Sequence, residues 1–299
     1  MALTNICNHR CIFCQYYKNI AKPIKMHKEK GYLFLDQAFN LGVREVSFAL
    51  IDEPFMSKDL EDYVVYAKNK GLDYVWLNTN GALASKDRIE KLFINGLKSI
   101  KFSVNAGKRE TYIKVHGKDD FGVVIENINN ALKIRDDLAV DVGVFVSFAE
   151  NSINHGEGYL LENILKDKVD KIYIVSAVNQ GGGMYEEVQK GLIKNDEMLW
   201  SRYKDDKDGK SILTKKICPY PFKRINITAE GYFTACCADP KNELVVANLN
   251  TTSLASAWNC DAIKKLREWH ISGNMPENCK CYNCINNTDN AVKPLLELI

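Results

Sequence analysis

Up to about Ser176, short apolar or β-branched runs alternate with longer stretches that have helical spacing of apolar and polar residues. This alternation is typical of βαβ units, in which crossover helices join parallel strands. The runs are too short and too apolar for half-exposed hairpin strands. The pattern therefore predicts an α/β fold, an open or partial (β/α)6 TIM-like barrel. Its six predicted strands are Ala2–Ile6, Glu45–Leu50, Tyr74–Asn78, Ser99–Val104, Val140–Phe148 and Lys171–Ser176.

Helices are predicted between these strands, and Ser57 is expected to cap the first of them. They are Lys58–Lys70, Lys86–Asn95, Val123–Asp136 and Leu160–Leu165. In parallel α/β folds the chemistry lies at the carboxyl ends of the strands. The residues expected at those ends are Cys7, Asp52, Glu53, Pro54, Asn78, Asn80, Ser103 and Asn105.

The pattern breaks between Tyr185 and Ile217, where the sequence is charged and mixed. We divide the chain into a barrel at 1–200, a connector at 201–217 and a C-terminal domain at 218–299. The last region predicts a β-hairpin, Arg224–Ile227 with Tyr232–Ala235, and a helix at Ala262–Ser272. It holds seven of the ten cysteines and is too short to rely on apolar burial alone, so a metal site is expected to stabilise it.

Three more cysteines stand close together in the run Cys7-Asn8-His9-Arg10-Cys11-Ile12-Phe13-Cys14. Three thiolates on one tight loop can hold three irons of a cubane cluster, whereas the usual protein-bound 4Fe-4S cluster takes four cysteines. The fourth iron is then open, and an open metal position lets a cofactor or substrate bind the metal directly. A zinc loop and a set of buried apolar thiols are the alternatives.

Composition and charge narrow the possible partners. The 299 residues are 46% hydrophobic, which is normal for a soluble globular protein. A net charge of +2 gives no electrostatic case for nucleic acid or an anionic membrane, so a small-molecule substrate is expected. The sequence shows no signal peptide and no long apolar stretch, which favours a cytoplasmic protein. In a reducing compartment ten cysteines indicate metal or redox chemistry, with five disulfides as the alternative.

The N-terminal part resembles the radical S-adenosylmethionine (SAM) superfamily, whose C-x3-C-x-aromatic-C pattern matches Cys7, Cys11, Phe13 and Cys14. The resemblance implies a 4Fe-4S radical SAM cluster on the three cysteines, with SAM chelating the open iron and Phe13 beside the cofactor. In this family the reduced cluster cleaves SAM to a 5'-deoxyadenosyl radical, which abstracts a substrate hydrogen. A flavodoxin or ferredoxin is the expected reductant.

Two further segments match the family less closely. The family's Gly-Gly-Glu-Pro stands here as Ile51-Asp52-Glu53-Pro54, in which Glu53 can still accept hydrogen bonds from the SAM ammonium. A surface acid at a strand end is the alternative for Glu53. Ser103-Val104-Asn105-Ala106 is similar to the family's Ser-Leu-Asp-Gly. This similarity makes Ser103 a candidate ligand of the SAM carboxylate or ribose and adds Asn105 to the cofactor-binding candidates.

Asn80 and His116 are less specific. Asn80 is a candidate for the cofactor site, with an ordinary Asn80-Gly81 turn as the alternative. His116 stands where relatives often carry an arginine, which weakens the expectation of a SAM carboxylate clamp there. A single histidine is more often a solvated or hydrogen-bonded residue than a ligand.

The C-terminal part resembles the SPASM/twitch extension found on some of these enzymes. Cys218 is followed by a G-x4-C element, Gly231 to Cys236, and later by Cys281-x2-Cys284. The resemblance implies one auxiliary 4Fe-4S cluster on Cys218, Cys236, Cys281 and Cys284. Cys237, Cys260 and Cys279 are then spare, although Cys279 is near enough to replace Cys281. A zinc ribbon is the alternative for this quartet. The single-cluster arrangement is similar to that of a radical SAM alcohol dehydrogenase of the butirosin pathway.

Three functions follow from these features. The leading hypothesis is a radical SAM oxidoreductase acting on a small polar metabolite such as a sugar, an aminocyclitol or a nucleotide-linked compound. The second is a maturase that modifies a ribosomal peptide, which the six residues before Cys7 disfavour because such enzymes commonly bind a leader peptide through an extra domain. The third is an electron carrier or zinc-structured binding module. Such a protein would not need an open-iron triplet of cysteines at the strand ends.

Overall fold

Five parallel strands form one sheet in the computed structural model, which describes residues 1–19, 22–165, 167–194 and 217–299. Their spatial order follows the sequence: β1 Glu45–Ser47, β2 Tyr74–Thr79, β3 Ser99–Ser103, β4 Gly143–Glu150 and β5 Lys171–Ser176. The register places Trp76 opposite Ser99 and Ser103 opposite Ser147. The carboxyl ends of the strands therefore meet along one edge, as the α/β partial-barrel prediction requires.

Helices follow the strands and cover one side of the sheet. They are α1 Lys28–Asn40, α2 Leu60–Lys70, α3 Lys86–Ile94, α4 Arg109–His116, α5 Phe121–Leu138, α6 Gly158–Leu165 and α7 Tyr185–Gln189. The four predicted helices are confirmed within a few residues. Three were missed: α1 has a glycine in its second turn, α4 is mostly polar, and α7 has only five residues. The glycine, Gly31, gives Tyr63 room, because a Cβ there would lie 2.4 Å from the Tyr63 hydroxyl.

Two predictions about the first half are wrong. Among the described residues, Ala2–Ile6 does not join the sheet, since its backbone bonds other segments: Leu3 O accepts from Met26 N at 2.9 Å, and Ala2 N donates to Ile227 O at 2.8 Å. Ser57 does not cap α2, which begins at Leu60 after Asp59. The Ser57 carbonyl is instead bonded by Arg88 at 2.8 Å, which holds this residue outside the helix.

The two faces of the sheet differ in chemistry. The side chains packed under the helices are apolar and fully buried, and they include Leu77, Ile100, Phe102, Val144, Val146 and Phe148. The alternate positions carry polar and aromatic residues, as the twofold period of a strand dictates. This second, inner face lies below the strand ends at which the candidate chemistry was predicted.

The C-terminal region forms a three-stranded antiparallel sheet with short helices. Its strands are β6 Asn226–Ile227, β7 Tyr232–Thr234 and β8 Val245–Asn248, and its helices are α8 Tyr220–Lys223, α9 Leu254–Trp258, α10 Asp261–Ser272 and α11 Lys280–Asn286. The predicted hairpin and the predicted helix at 262–272 are confirmed. The predicted connector, apart from Ile217, lies outside the described residues. Within the described ranges, no helix is long and apolar enough to cross a membrane.

Candidate functional site

The loop that carries Cys7, Cys11 and Cys14 is held against the end of α4. Arg10 N donates to His116 O and Ile12 N donates to Val115 O, each at 3.0 Å. A turn closes the loop, because Cys14 N donates to Cys11 O at 3.0 Å. These bonds fix the backbone of the cysteine loop without using any of its thiols.

The three thiols of this loop are near enough to interact electrostatically. Burial raises the pKa of Cys7 to about 12, and the pKa of Cys11 is raised by burial and then by its neighbours Cys14 and Cys7. Backbone amides point at two of the sulfurs: His9 N lies 3.5 Å from Cys7 Sγ, and Tyr16 N lies 3.5 Å from Cys14 Sγ. Three neighbouring thiols with N–H donors are the donor set of a thiolate-bound cluster, whose binding displaces the thiol protons.

Glu53 lies buried beside this loop, and three donors hold its carboxylate. Thr79 Oγ1 donates to Oε1 at 2.6 Å, Phe55 N donates to the same oxygen at 3.1 Å, and Asn80 N donates to Oε2 at 2.7 Å. Burial raises the pKa of Glu53 to about 7, although the three hydrogen bonds oppose that rise. The structure therefore contradicts a surface acid and shows a fixed acceptor at the edge of the sheet.

Asn80 connects Glu53 to the cysteine loop. Its side-chain nitrogen donates to Asn8 Oδ1 at 2.7 Å and lies 3.8 Å from Cys7 Sγ. Two further buried oxygens near these strand ends, Asp52 Oδ2 and Asn78 Oδ1, have no hydrogen-bond partner among the described residues. Hydrogen-bond acceptors that lack a donor at this edge of the sheet fit a ligand that brings N–H donors, as the SAM ammonium does.

The remaining predicted residues lie farther along the same edge. Ser103 Oγ is 3.3 Å from Ser147 Oγ on the inner face. Asn105 has a positive φ of 52°, and its Oδ1 accepts from Ala149 N at 2.7 Å, so its side chain holds the end of β4 in place. Phe13 packs against the small apolar cluster that contains Ala177 and Met184. Contact between these three residues and SAM stays a prediction.

The sequence analysis missed a pair of buried histidines behind the cysteine loop. His116 Nε2 lies 2.8 Å from Val104 O, which assigns the proton to Nε2 and leaves Nδ1 as an acceptor. Nδ1 is 3.1 Å from His9 Nδ1 and 3.4 Å from Cys11 Sγ, and His9 Nε2 reaches Asp120 at 2.9 Å. Burial lowers the pKa of His116 to about 3, so its imidazole is neutral. The position of His9 between Cys7 and Cys11 was the one feature of the sequence that could have indicated this pair.

The inner face offers hydrogen-bonding and aromatic groups along its length, beginning at the amino ends of β2 and β3. Trp76 Nε1 donates to Glu45 at 2.7 Å, and Tyr74 donates to Ser99 at 2.9 Å. Two cations flank the Tyr173 ring, with Lys101 Nζ at 5.8 Å and Lys171 Nζ at 4.9 Å from its centroid. This face suits a polar molecule.

The cysteines of the C-terminal region form a second group. Cys236 and Cys237 follow β7, Cys281 and Cys284 lie on α11, and Cys218 precedes α8. Cys284 interacts electrostatically with Cys218, Cys236 and Cys281. The four predicted auxiliary ligands are therefore close together. Which four thiols bind iron stays a prediction.

Three of the C-terminal cysteines were predicted to be spare, and each of them has different surroundings in the structure. Cys237 shares a hydrogen bond with Cys236, which lowers the pKa of Cys237. Cys279 is hydrogen-bonded to Cys281. Cys260 instead points at Val246 O, 3.9 Å away.

A buried ion-pair network joins the two chain segments that carry the C-terminal cysteines, the loop after β7 and helix α11. Lys280, at the start of α11, lies 2.6 Å from Glu243 and 3.2 Å from Asp239, which stand on the loop after Cys237. Asp239 also accepts from Thr234 Oγ1 and Leu244 N, both at 2.8 Å. Burial by itself would lower the pKa of Lys280, but the two acids outweigh it and raise that pKa.

An open three-thiol loop at the strand ends of a partial barrel, followed by a second thiol group, defines a radical SAM enzyme with an auxiliary-cluster domain. The family models agree: residues 1–147 match the Radical SAM superfamily, and residues 218–285 match the iron-sulfur cluster-binding domain called SPASM. The chain belongs to the radical SAM superfamily. These domains imply SAM, a 4Fe-4S cluster and auxiliary iron-sulfur ligation as its cofactors.

The chain is similar in sequence to two kinds of curated radical SAM protein. A probable GTP 3',8-cyclase from Saccharolobus islandicus (strain M.14.25 / Kamchatka #1) is 35% identical over 134 residues, which are 45% of this chain and 43% of the relative. An Fe-coproporphyrin III synthase from Methanosarcina barkeri is 32% identical over 130 residues, 43% of this chain and 32% of the relative. The chain therefore matches less than half of the length of either relative.

Solved structures share the fold over nearly the whole chain. BtrN in complex with AdoMet and 2-DOIA has a TM-score of 0.59 at 15% identity, with 95% of this chain and 89% of that chain covered. Native anSMEcpe with bound AdoMet has a TM-score of 0.67 at 14% identity, with 98% and 91% covered. At these identities the likeness concerns the fold alone.

Proposed function

We propose that this radical SAM enzyme oxidises a small polar metabolite, such as a sugar, an aminocyclitol or a nucleotide-linked compound. The observation that carries the proposal is the polar and aromatic inner face of the sheet, whose strands run toward the three-thiol loop at their carboxyl ends. A substrate bound on this face near the strand ends would find hydrogen-bond donors, acceptors and a pair of lysines. Lys101 and Lys171 suit a substrate that carries an anionic group, as a nucleotide-linked compound does.

Each part of the site has a separate task in this proposal. Cys7, Cys11 and Cys14 hold the radical cluster, while Glu53 accepts from the SAM ammonium and Asn80 keeps Glu53 and the loop together. When bound, SAM and its cluster supply a 5'-deoxyadenosyl radical, and the auxiliary cluster supplies an acceptor for the electron left on the substrate. The helices on the outer face keep water and stray hydrogen donors away from that side of the sheet.

The proposed oxidation balances in atoms and electrons. Bound SAM and its cluster would supply the removal of the carbon-bound hydrogen atom of a secondary alcohol, and that hydrogen would end in 5'-deoxyadenosine. The auxiliary cluster would take up one electron from the substrate, and loss of the hydroxyl proton would then give the ketone. The substrate thus loses two hydrogens in all. A flavodoxin or ferredoxin remains the proposed donor of the electron that starts each turnover.

The proposal is tested by anaerobic reconstitution with SAM, dithionite and metabolite extracts, followed by mass spectrometry. A dehydrogenase makes 5'-deoxyadenosine together with a product about two mass units lighter than its substrate. A product of unchanged mass would indicate a rearrangement or cyclisation and would contradict the oxidoreductase class. A modified peptide as the only changed compound would favour the maturase hypothesis.

Glu53→Gln is expected to weaken SAM binding by about 1–3 kcal/mol, the range for a hydrogen bond to a charged group. The substitution removes the negative charge and turns one acceptor into a donor, while the cysteine loop keeps its own backbone bonds. Iron content should therefore stay the same. Equilibrium dialysis with SAM on the reconstituted protein measures the effect. Glu61→Gln is the control, because Glu61 pairs with Arg88 on the helix side. An unchanged affinity in the Glu53 variant would remove Glu53 from the SAM site.

A further inference from the structure

A run of three glycines lies between the two groups of cysteines. It belongs to the segment Asn179–Gly183, which follows β5 and which we call the glycine bridge. Gly181 and Gly182 have positive φ angles of 61° and 71°, a conformation that favours glycine. The sequence analysis passed over this segment because it belongs to neither cysteine pattern.

On one side the glycine bridge meets the radical SAM loop. Gln15, the residue after Cys14, is buried, and its side-chain nitrogen donates to Gln180 O and lies 3.5 Å from Ala238 O. A Cβ on Gly183 would lie 2.0 Å from Gln15 Oε1. The amide of Gln15 thus fits against a backbone that has no side chains to exclude it, and it also reaches the loop of Cys236 and Cys237.

On the other side the glycine bridge meets α11. A Cβ on Gly182 would lie 2.8 Å from Cys284 N and 3.1 Å from Asn283 Cβ, and one on Gly181 would lie 2.4 Å from Ala238 O. Asn179 Nδ2 donates to Asn287 Oδ1 at 2.8 Å, and the Cys284 thiol points at Asn179 O at 3.8 Å. The backbone amides of Gly181 and Gly182 lie near the sulfur of Cys284, and the Gly182 N–H also donates to Asn179 O at 3.3 Å.

We propose that the glycine bridge couples the two cluster sites: it positions the auxiliary cluster against the radical SAM loop, and its amides set the reduction potential of that cluster. Backbone N–H groups that bond a ligating sulfur stabilise the reduced, more negative cluster and so raise its potential. The barrel would thereby control how readily the C-terminal cluster accepts an electron. The proposal rests on the auxiliary cluster of the proposed function, although it does not require an alcohol substrate.

Gly182→Ala is the first test, with Gly191→Ala as a matched control. Gly191 has a similar φ of 68°, but an added Cβ there meets nothing within 4 Å, so both variants carry comparable backbone strain while only one disturbs Cys284. The midpoint potential of the auxiliary cluster is measured by an EPR-monitored titration of the full-length protein without substrate. We expect a shift to more negative potential in Gly182→Ala and none in Gly191→Ala.

Gln15→Ala is the second test. Loss of the auxiliary iron in Gly182→Ala would support the positioning role of the glycine bridge, and Gln15→Ala would then still report on the potential. Gln15 is next to Cys14, so a residue with only a local role would alter the radical cluster alone. We expect the auxiliary potential to shift in the same direction as in Gly182→Ala. Auxiliary potentials identical to wild type in both variants would overturn the proposal. Absence of a second cluster from the wild-type protein would instead overturn the ligand assignment, and a missing alcohol oxidation would affect neither result.

Discussion

Replacing Cys7, Cys11 and Cys14 together by Ala is expected to abolish the reductive cleavage of SAM. The three thiols lie on one loop that backbone bonds to Val115 and His116 fix at the strand ends, so their loss removes all the thiolates of that loop. The C-terminal cysteines are held by their own backbone and by the Lys280 network, so their cluster should still assemble. Chromatographic measurement of 5'-deoxyadenosine gives the first result, and iron analysis gives the second.

Cys260→Ala is the matched control for this experiment. Its thiol points at Val246 O, and its loss should leave both the iron content and the yield of 5'-deoxyadenosine unchanged. A triple variant that makes as much 5'-deoxyadenosine as the wild type would refute radical SAM chemistry at this loop.

Loss of the second cysteine group should separate radical formation from product formation. The reconstituted wild-type protein should hold about eight irons, and the variant that lacks Cys218, Cys236, Cys281 and Cys284 about four. If the auxiliary cluster accepts the electron left on the substrate, Cys218→Ala/Cys236→Ala should still make 5'-deoxyadenosine but little oxidised product. Mass spectrometry of the same reaction mixture measures both compounds.

Two results would contradict this account of the C-terminal domain. Zinc in place of the second set of irons, in anaerobically purified native protein, would mean a structural zinc site. Normal turnover by the Cys218→Ala/Cys236→Ala variant would show that the domain has no part in electron transfer, and the dehydrogenase proposal would lose its main support.

The sequence predicted the features that depend on local pattern. Short apolar runs gave β2 to β5, since a strand buried on one side by helices must be apolar there. The spacing of Cys7, Cys11 and Cys14 predicted their loop because ligands on one turn must be close in sequence. The hairpin before Cys236 followed in the same way, from alternation around a Gly231 turn that the structure contains.

The features that failed or were missed depend on contacts between distant segments. Ala2–Ile6 reads as a strand, yet its backbone pairs with Met26 and Ile227, which no local pattern reveals. The contact of His9 with Asp120 spans 111 residues, and the contact of Gln15 with Gln180 spans 165. Glycines that allow such close approach carry no periodic signal, so the glycine bridge could be found only in the folded chain.

The most direct test of the central claim, that the chain has one open and one closed cluster, is the response of its reduced EPR spectrum to SAM. SAM can bind only where an iron lacks a cysteine ligand. The account predicts that SAM alters one of two cluster signals, that this signal disappears in the Cys7/Cys11/Cys14→Ala variant, and that the other signal is insensitive to SAM. A spectrum in which the SAM-sensitive signal survives in that variant, or in which SAM alters neither signal, would contradict the account.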